Sequence, residues 1–397
     1  MLQAAQLPFS LMPESPYEAA LCDLEEDGGG QITAVGFERN IPQPAAGTES
    51  HDDPFAYLAE RRGQEERTLR LIRLDAAGNV TMERSVNIGG VHRAVSLLPA
   101  PHGGYVVGGY TRNGELFVAG LDHGGGIRFV SRFGTAKVER MQRLLLLRDG
   151  GLLAVGSSFT SRDSSGDPFM QGVGGSDLYL VRLSPSGQIL WSRKYGTVDD
   201  DSGVAAAEAG DGTLVVAGTT ERDGERSAFL MRLTENGEKI WMMPYPHEGS
   251  AEAHDLILLR NGTFAASLSL GDAPGGRIRL ITFDLQRTLL GAWDAPEIAG
   301  GVLASLAERS DGSLVGVGYT TDGKRGDSDA LAVRFSPDGR VLWQQRFGGP
   351  NRDRFNSVRV LRDGRAVAVG VCVPGKSEVG KMWIAALPEA AAAEMEK

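Results

Sequence analysis

Cysteine is scarce in this chain, with two residues, Cys22 and Cys372, in a length of 397. That excludes a disulfide-built scaffold, and neither thiol has the closely spaced Cys or His companions of a zinc site. Both read as buried apolar thiols. The six histidines, His51, His92, His102, His123, His247 and His254, include no His-x-x-x-His or His-Glu-x-x-His pair, so a zincin is excluded. Long apolar runs are missing too. No stretch approaches the roughly 18 to 20 residues needed to span a bilayer, and Leu7 to Met12 is interrupted by Pro8 and Ser10. No membrane insertion is expected. The formal net charge is −10 and no basic stripe occurs, which argues against nucleic-acid binding and against anionic membrane surfaces. There is no Gly-x-Ser-x-Gly elbow and no Walker loop. The Gly-rich stretches at 172–176 and 123–126 sit in turns with no helix after them. The acids of Asp199-Asp200-Asp201-Ser202-Gly203 lack the alternation and distal Glu of a calcium loop. No metal and no cofactor is expected.

What the chain does have is 54 glycines and a repeat. Tight Asp-Gly or Asn-Gly turns, the strongest short-range hairpin signal, fall at Asp149, Asp211, Asn261, Asp311 and Asp363, separated by 62, 50, 50 and 52 residues. Earlier copies stand at Asp27-Gly28 and His102-Gly103. After each turn comes a short run of small and β-branched residues usually ending in Gly: Ile32 to Gly36, Val106 to Gly109, Leu152 to Gly156, Leu214 to Gly218, Leu314 to Gly318 and Ala366 to Gly370. The fifth copy has Leu268 in that place. These runs predict buried strands. A third element alternates apolar and polar residues, with Arg73, Arg182, Arg232 and Arg334 at one register, expected as solvated stems. A fourth follows a turn Gly with an aromatic four residues on. Trp191, Trp241, Trp293 and Trp343, spaced 50, 52 and 50 residues apart, are expected to pack between neighbouring units.

Seven four-stranded units predict an all-β, seven-bladed β-propeller with antiparallel blades. The blades are placed at about 17–90, 91–134, 135–196, 197–246, 247–296, 297–349 and 350–388, in a single domain. The last unit lacks its outer strand before the tail 389–397. Leu2 to Phe9, in which Leu2-Gln3-Ala4-Ala5-Gln6 matches Leu342-Trp343-Gln344-Gln345-Arg346, is expected to supply that strand and remove an edge. Closure puts Cys22 and Cys372 in adjacent blades, so a disulfide stays open if the Cα atoms come within about 7 Å.

The unit Asp177-Leu-Tyr-Leu-Val-Arg-Leu-Ser-Pro-Ser-Gly-Gln-Ile-Leu-Trp191 resembles bacterial secreted β-propeller repeats of the SBBP and delta-sixty type, most clearly over Arg140 to Gly349. The resemblance implies a general binding scaffold, supplies no catalytic residues, and implies export to the periplasm or exterior. Nothing basic or signal-like follows Met1, which suits a cytoplasmic chain or one whose leader has been removed. The Gly-x-x-x-Trp spacing is also similar to quinoprotein propeller docking motifs. Ser186, Asn236 and Asp338, with Leu183, Leu233 and Phe335, replace the Thr and acid of that pattern, so no quinone is expected.

Function does not follow from fold. The residues favour a non-enzymatic module, monomeric alone, that binds a protein or an extracellular polymer. The alternative is a lyase or glycoside-hydrolase-like enzyme with a His or paired carboxylates at the central channel mouth. Blade topology puts the inter-blade links and the second-to-third-strand connections on one face. The longest such connections, Glu38 to Arg67 and Ser157 to Ser176, mix Phe55, Tyr57, Phe169 and Met170 with Asp52 and Asp53, as interface anchors with charged neighbours would. Asp200, Asp201, Arg352 and Asp353 lie on the same face and are candidate contacts. Glu139, Asp201 and Asp353 each precede an Asp-Gly turn by ten residues, which also fits pairing with a backbone amide.

Overall fold

The apolar alternation and glycine turns build strands throughout. The computed structural model describes residues 9–13, 15, 18–40, 66–134, 139–159, 175–197, 199–247, 249–271, 276–320, 328–375 and 379–389. Among them there is no helix, and so none long and apolar enough to cross a membrane. After β1 (Phe9–Leu11), the first blade holds β2 (Glu18–Glu26), β3 (Ile32–Asn40), β4 (Glu66–Leu74) and β5 (Val80–Val86). The second holds β6 (Val91–Pro99), β7 (Tyr105–Thr111), β8 (Leu116–Leu121) and β9 (Ile127–Phe133), and the third β10 (Glu139–Leu146), β11 (Leu152–Phe159), β12 (Ser176–Leu183) and β13 (Ile189–Tyr195). The fourth runs β14 (Asp200–Glu208), β15 (Leu214–Arg222), β16 (Glu225–Leu233) and β17 (Lys239–Pro244). The fifth runs β18 (Ala251–Leu258), β19 (Phe264–Leu270), β20 (Arg277–Phe283) and β21 (Leu289–Ala299). The sixth has β22 (Gly301–Glu308), β23 (Leu314–Thr320), β24 (Asp329–Phe335) and β25 (Val341–Phe347), and the seventh β26 (Arg354–Val360), β27 (Ala366–Cys372) and β28 (Lys381–Ala386) completed by β1. Each blade is a four-stranded antiparallel sheet, so the chain is a seven-bladed β-propeller.

Every seam between neighbouring blades has its own apolar cluster. Second strands such as β11 are buried along nearly their whole length because a sheet packs on both faces, whereas outer strands such as β13 are exposed or half-buried throughout. The closing seam is apolar like the rest. Leu21, Leu24 and Ile72 of the first blade pack with Leu361, Val369 and Ile384 of the seventh.

The closing strand differs in register from the sequence expectation. Phe9, Ser10 and Leu11 pair with Ala386, Ala385 and Ile384, and residues 2–8 lie outside the described residues. Pro8 has no N–H to donate to a ladder. Ser10 Oγ accepts from Trp383 Nε1 at 2.7 Å, and Leu11 packs against the seam cluster. Glu389 reaches Arg309 at 2.6 Å and its carbonyl accepts from Arg334.

The outer aromatics reach the next blade. Trp191 Nε1 donates to the Glu235 carbonyl at 3.2 Å, and Trp293 lies over the turn glycine Gly339. Trp241 packs against the cluster between blades four and five, and Trp343 joins Phe355 and Trp383. The register arginines are not solvated stems, as expected from sequence. Arg182, Arg232 and Arg334 turn back onto Asp149, Asp211 and Asp311 and clamp the hairpin turns of their own blades. Arg73, whose turn offers no such acid, donates to the His123 carbonyl in the next blade. Ser313 and Arg334 hold the Asp311 carboxyl down at about 2.

Gly339 combines a φ of +82° with a position where a Cβ would lie 1.9 Å from Trp293. Gly224 has a φ of +83° with nothing within 4 Å. Gly339→Ala is therefore expected to cost about 2–3 kcal/mol through overpacking added to the left-handed backbone, and Gly224→Ala only about 1 kcal/mol. Urea midpoints of the two variants measure the difference, and equal shifts would show that Trp293 yields freely.

Candidate binding site

The glycine recurring within most second strands has a structural cause that leads to the channel. In Gly36, Gly156, Gly318 and Gly370 a Cβ would stand about 2 Å from a first-strand carbonyl, that of Ala20, Arg140, Val302 or Arg354. Two residues after each of these carbonyls the first strand carries a β-bulge, as at Leu21/Asp23, Met141/Arg143 and Phe355/Ser357. The bulge inserts one extra residue and re-aims it. In blade order the extra residues are Cys22, Val95, Gln142, Val204, His254, Ala304 and Asn356, and all seven line the central channel. Each stands eight residues before a turn glycine of positive φ, from Gly30 to Gly364. In the first blade that glycine is Gly30 rather than the Gly28 suggested by the dipeptide.

Residues just past the bulges latch blade to blade. Leu97 N donates to Asp23 Oδ2, Leu144 N to Ser96 Oγ, Leu306 N to Asp255 Oδ2 and Val358 N to Ser305 Oγ, at 2.8–3.3 Å. Blade four has Ala205 in this place, and the ring is completed differently: Arg143 of blade three reaches across to Asp255 of blade five at 2.6 Å. Burial pushes the Asp255 carboxyl up, against the pull of Arg143. At the closing seam Arg359 meets Asp23 at 3.1 Å and Glu25 at 3.4 Å. Burial opposes the Arg359 charge, and Asp23 and Glu25 more than offset it, so its pKa is raised.

Two residues before each bulge, at the face of the inter-blade links, the channel widens into a cavity of about 370 Å³. Arg93, Arg140 and Arg354 line one side, from blades two, three and seven, with Tyr110 and Tyr319 at the ends of second strands. Glu252 and His254 line the other side. Glu252 is held by Arg226 at 2.7 Å, and His254 Nε2 is 2.8 Å from Ser269 Oγ. Burial pushes the His254 pKa down, leaving a neutral ring at pH 7. Cys22 stands between Arg354 and Arg93 in the ring, and burial pushes its thiol up despite Arg93 beside it. Both cysteines are free, so the open disulfide is not formed. Cys22 enters the channel at its bulge, while the Cys372 thiol bonds the Asp353 carboxyl and is pushed up to about 12, chiefly by burial. Among the described residues no group of three or more His, Cys, Asp or Glu could hold a metal ion.

The residues singled out in the sequence are not brought together at this cavity. Asp201 is buried and accepts from Thr197 N at 2.6 Å and from Thr220 Oγ1 at 2.5 Å. Asp353 is buried and accepts from Gly349 N and Val373 N at 2.7 and 2.8 Å. Both fasten the chain at the inter-blade links. Asp200, at the start of blade four, is exposed and accepts from Ser176 N, and Arg352, just before blade seven, is exposed. Asp52, Asp53, Phe55, Tyr57, Phe169 and Met170 lie outside the described residues. The channel arginines were missed because each is one polar residue in a different repeat. Their shared distance of ten residues from the turn glycine was the available signal.

Comparison with known proteins gives the fold. A family described as a domain of unknown function (DUF5122) β-propeller matches residues 209–239, within blade four. "Regulatory protein FlaEY" of Caulobacter vibrioides is 26% identical over 144 residues, 32% of this chain, and the match spans 15% of that protein's length. Among solved structures, a polysaccharide lyase of the ulvan lyase PL25 family, bound to -[GlcA(1-4)Rha3S]-, has a TM-score of 0.55 at 9% identity and covers 96% of each chain. BBS1N in complex with ARL6DN has a TM-score of 0.52 at 10% identity and covers 98% of each. At these identities the likeness shows the fold alone: the chain is a β-propeller whose structural neighbours include both an enzyme and a binding partner.

Proposed function

We propose that this protein is a non-enzymatic binding module that engages a protein partner through the face carrying the inter-blade links. The observation that carries the reading is the cavity on that face. Among the described residues Arg93, Arg140 and Arg354 are paired with no carboxylate, Glu252 is held by Arg226, and His254 lies beside Ser269. The two longest connections leave from the same face, between Asn40 and Glu66 and between Phe159 and Ser176. Phe55, Tyr57, Phe169 and Met170 are proposed as anchors, with Asp52, Asp53, Asp200 and Arg352 as charged neighbours. The resemblance to secreted bacterial propeller repeats supports export.

A second reading, elimination on a uronate polymer, draws on His254, Tyr319 and Arg354 sharing one cavity from three blades. It needs a base and a neutralising cation on one substrate. Capture from the native organism with the intact chain, with Phe55, Tyr57, Phe169 and Met170 all changed to Ala, and with Asp211→Asn on the opposite face tests the first reading. The same captured protein is expected with the intact chain and Asp211→Asn and lost with the quadruple variant. Loss only with Asp211→Asn would mean that the other face binds. New ultraviolet absorbance from an unsaturated uronate on incubation with uronate polysaccharides would establish the second reading instead.

A further inference from the structure

We infer that the channel mouth is a binding site for an oxyanion, gripped by Arg93 and Arg354 with Arg140 at its rim and the Tyr110 and Tyr319 hydroxyls as neutral donors. This deepens the binding reading by naming the chemistry recognised, and it is testable without any partner.

The case rests on how this protein treats its other inner-strand arginines. Arg143, which lines the same cavity, and Arg359, at the closing seam, face carboxylates at 2.6 and 3.1 Å. Arg93, Arg140 and Arg354 face none among the described residues, although the chain as a whole carries a net charge of −10. The Nε atoms of Arg93 and Arg354 are shielded from solvent and have no hydrogen-bond partner. A buried donor without an acceptor is costly, and more so on a charged group. The two guanidinium groups also oppose each other. Burial, with Arg93 beside it, pushes the Arg354 pKa down. Arg93 itself meets only the Cys22 thiol and the Tyr110 hydroxyl. Like charges gathered at a mouth, paired with no carboxylate among the described residues and two of them with a buried Nε left over, are the arrangement that an arriving carboxylate, sulfate or phosphate completes. Guanidinium forks match the geometry of such groups. The 370 Å³ cavity admits a small polyanion or an acidic side chain.

Isothermal titration and thermal unfolding of the full chain with inorganic sulfate, inorganic phosphate, citrate and a hexaglutamate peptide, at ionic strength matched with sodium chloride, test the site. One saturable site is expected, with Tm rising as the logarithm of ligand concentration. Saturation separates this from the general salting effect of sulfate. Arg93→Gln and Arg354→Gln are each expected to weaken binding by about tenfold or more. Neither is expected to lower the Tm of the free protein, because each removes a like-charged neighbour. Arg222→Gln, with its side chain 72% exposed, should leave affinity unchanged. Tighter binding of hexaglutamate than of the inorganic ions would assign the anion to a partner's acidic residue, and the reverse order to a free small anion; both support the site. Absence of saturable binding with all four probes overturns it, as does a loss of free-protein Tm in the glutamine variants with affinity intact. Saturable sulfate binding alongside failed partner capture would sink the proposed function and leave the site standing.

Discussion

Asp23→Ala is expected to destabilise the ring by about 3–5 kcal/mol, the cost of breaking a buried charge pair from one side. The Asp23 side chain is 1% exposed. It accepts from Leu97 N in blade two, from Ser357 Oγ in blade seven and from Leu24 N beside it, and it faces Arg359. Three blades therefore meet on one carboxylate at the seam where the chain closes. Removing it leaves Arg359 without its nearest partner and a buried amide without an acceptor. Because the Arg359 side chain keeps 28% exposure, some of its charge stays solvated, which places the effect toward the lower end of the range. Adding Arg359→Met should recover part of the loss, since the cation left with Glu25 as its remaining partner is then gone. Urea midpoints with unchanged slope measure both variants. A single-variant shift below about 1 kcal/mol would show that the seam does not depend on this carboxylate. A double variant no more stable than the single would show that the loss of Arg359's partner is not the cause.

Deleting residues 1–11 is the second large effect expected. The deletion removes β1, uncovers the edge of β28, takes Leu11 from the apolar cluster between blades one and seven, and leaves Trp383 Nε1 without Ser10. The loss is expected at about 2–4 kcal/mol from the ladder bonds and the apolar side chain together. A free strand edge is also a template for pairing with another chain. The truncated protein is thus expected to show both a lower Tm and concentration-dependent association in sedimentation. An unchanged Tm with a monomeric profile would mean that three strands suffice for the seventh blade.

The repeat was legible because its signals are local. An Asp-Gly turn needs only its own residues to specify a hairpin, and a Trp at a fixed interval reports one unit per interval whatever the fold around it. Seven units of four strands, antiparallel order and closure by the N-terminus could all be read this way. Other features depended on partners distant in the chain. The register arginines looked like solvated stems because an alternating strand cannot say that Arg182, Arg232 and Arg334 fold back onto the turn acids of the neighbouring strand pair. The closing strand was placed several residues early because the N-terminal segment matches the outer-strand pattern in more than one register, and Trp383 bonding Ser10 selects one.

Composition, turn chemistry and spacing thus determined the architecture and the face from which the longest connections leave, since strand direction alternates and every blade repeats the same four steps. Only the closed ring decided the candidate site. Arg93, Arg140 and Arg354 lie far apart in sequence, and nothing local distinguishes them from arginines on any strand. Their meeting needs the inner-strand bulge, which the second-strand glycine permits, and it needs blade seven seated beside blade one. The first condition is a one-residue irregularity in strand pairing and the second a contact between the two ends of the chain, and neither leaves a mark on the residues that it brings together.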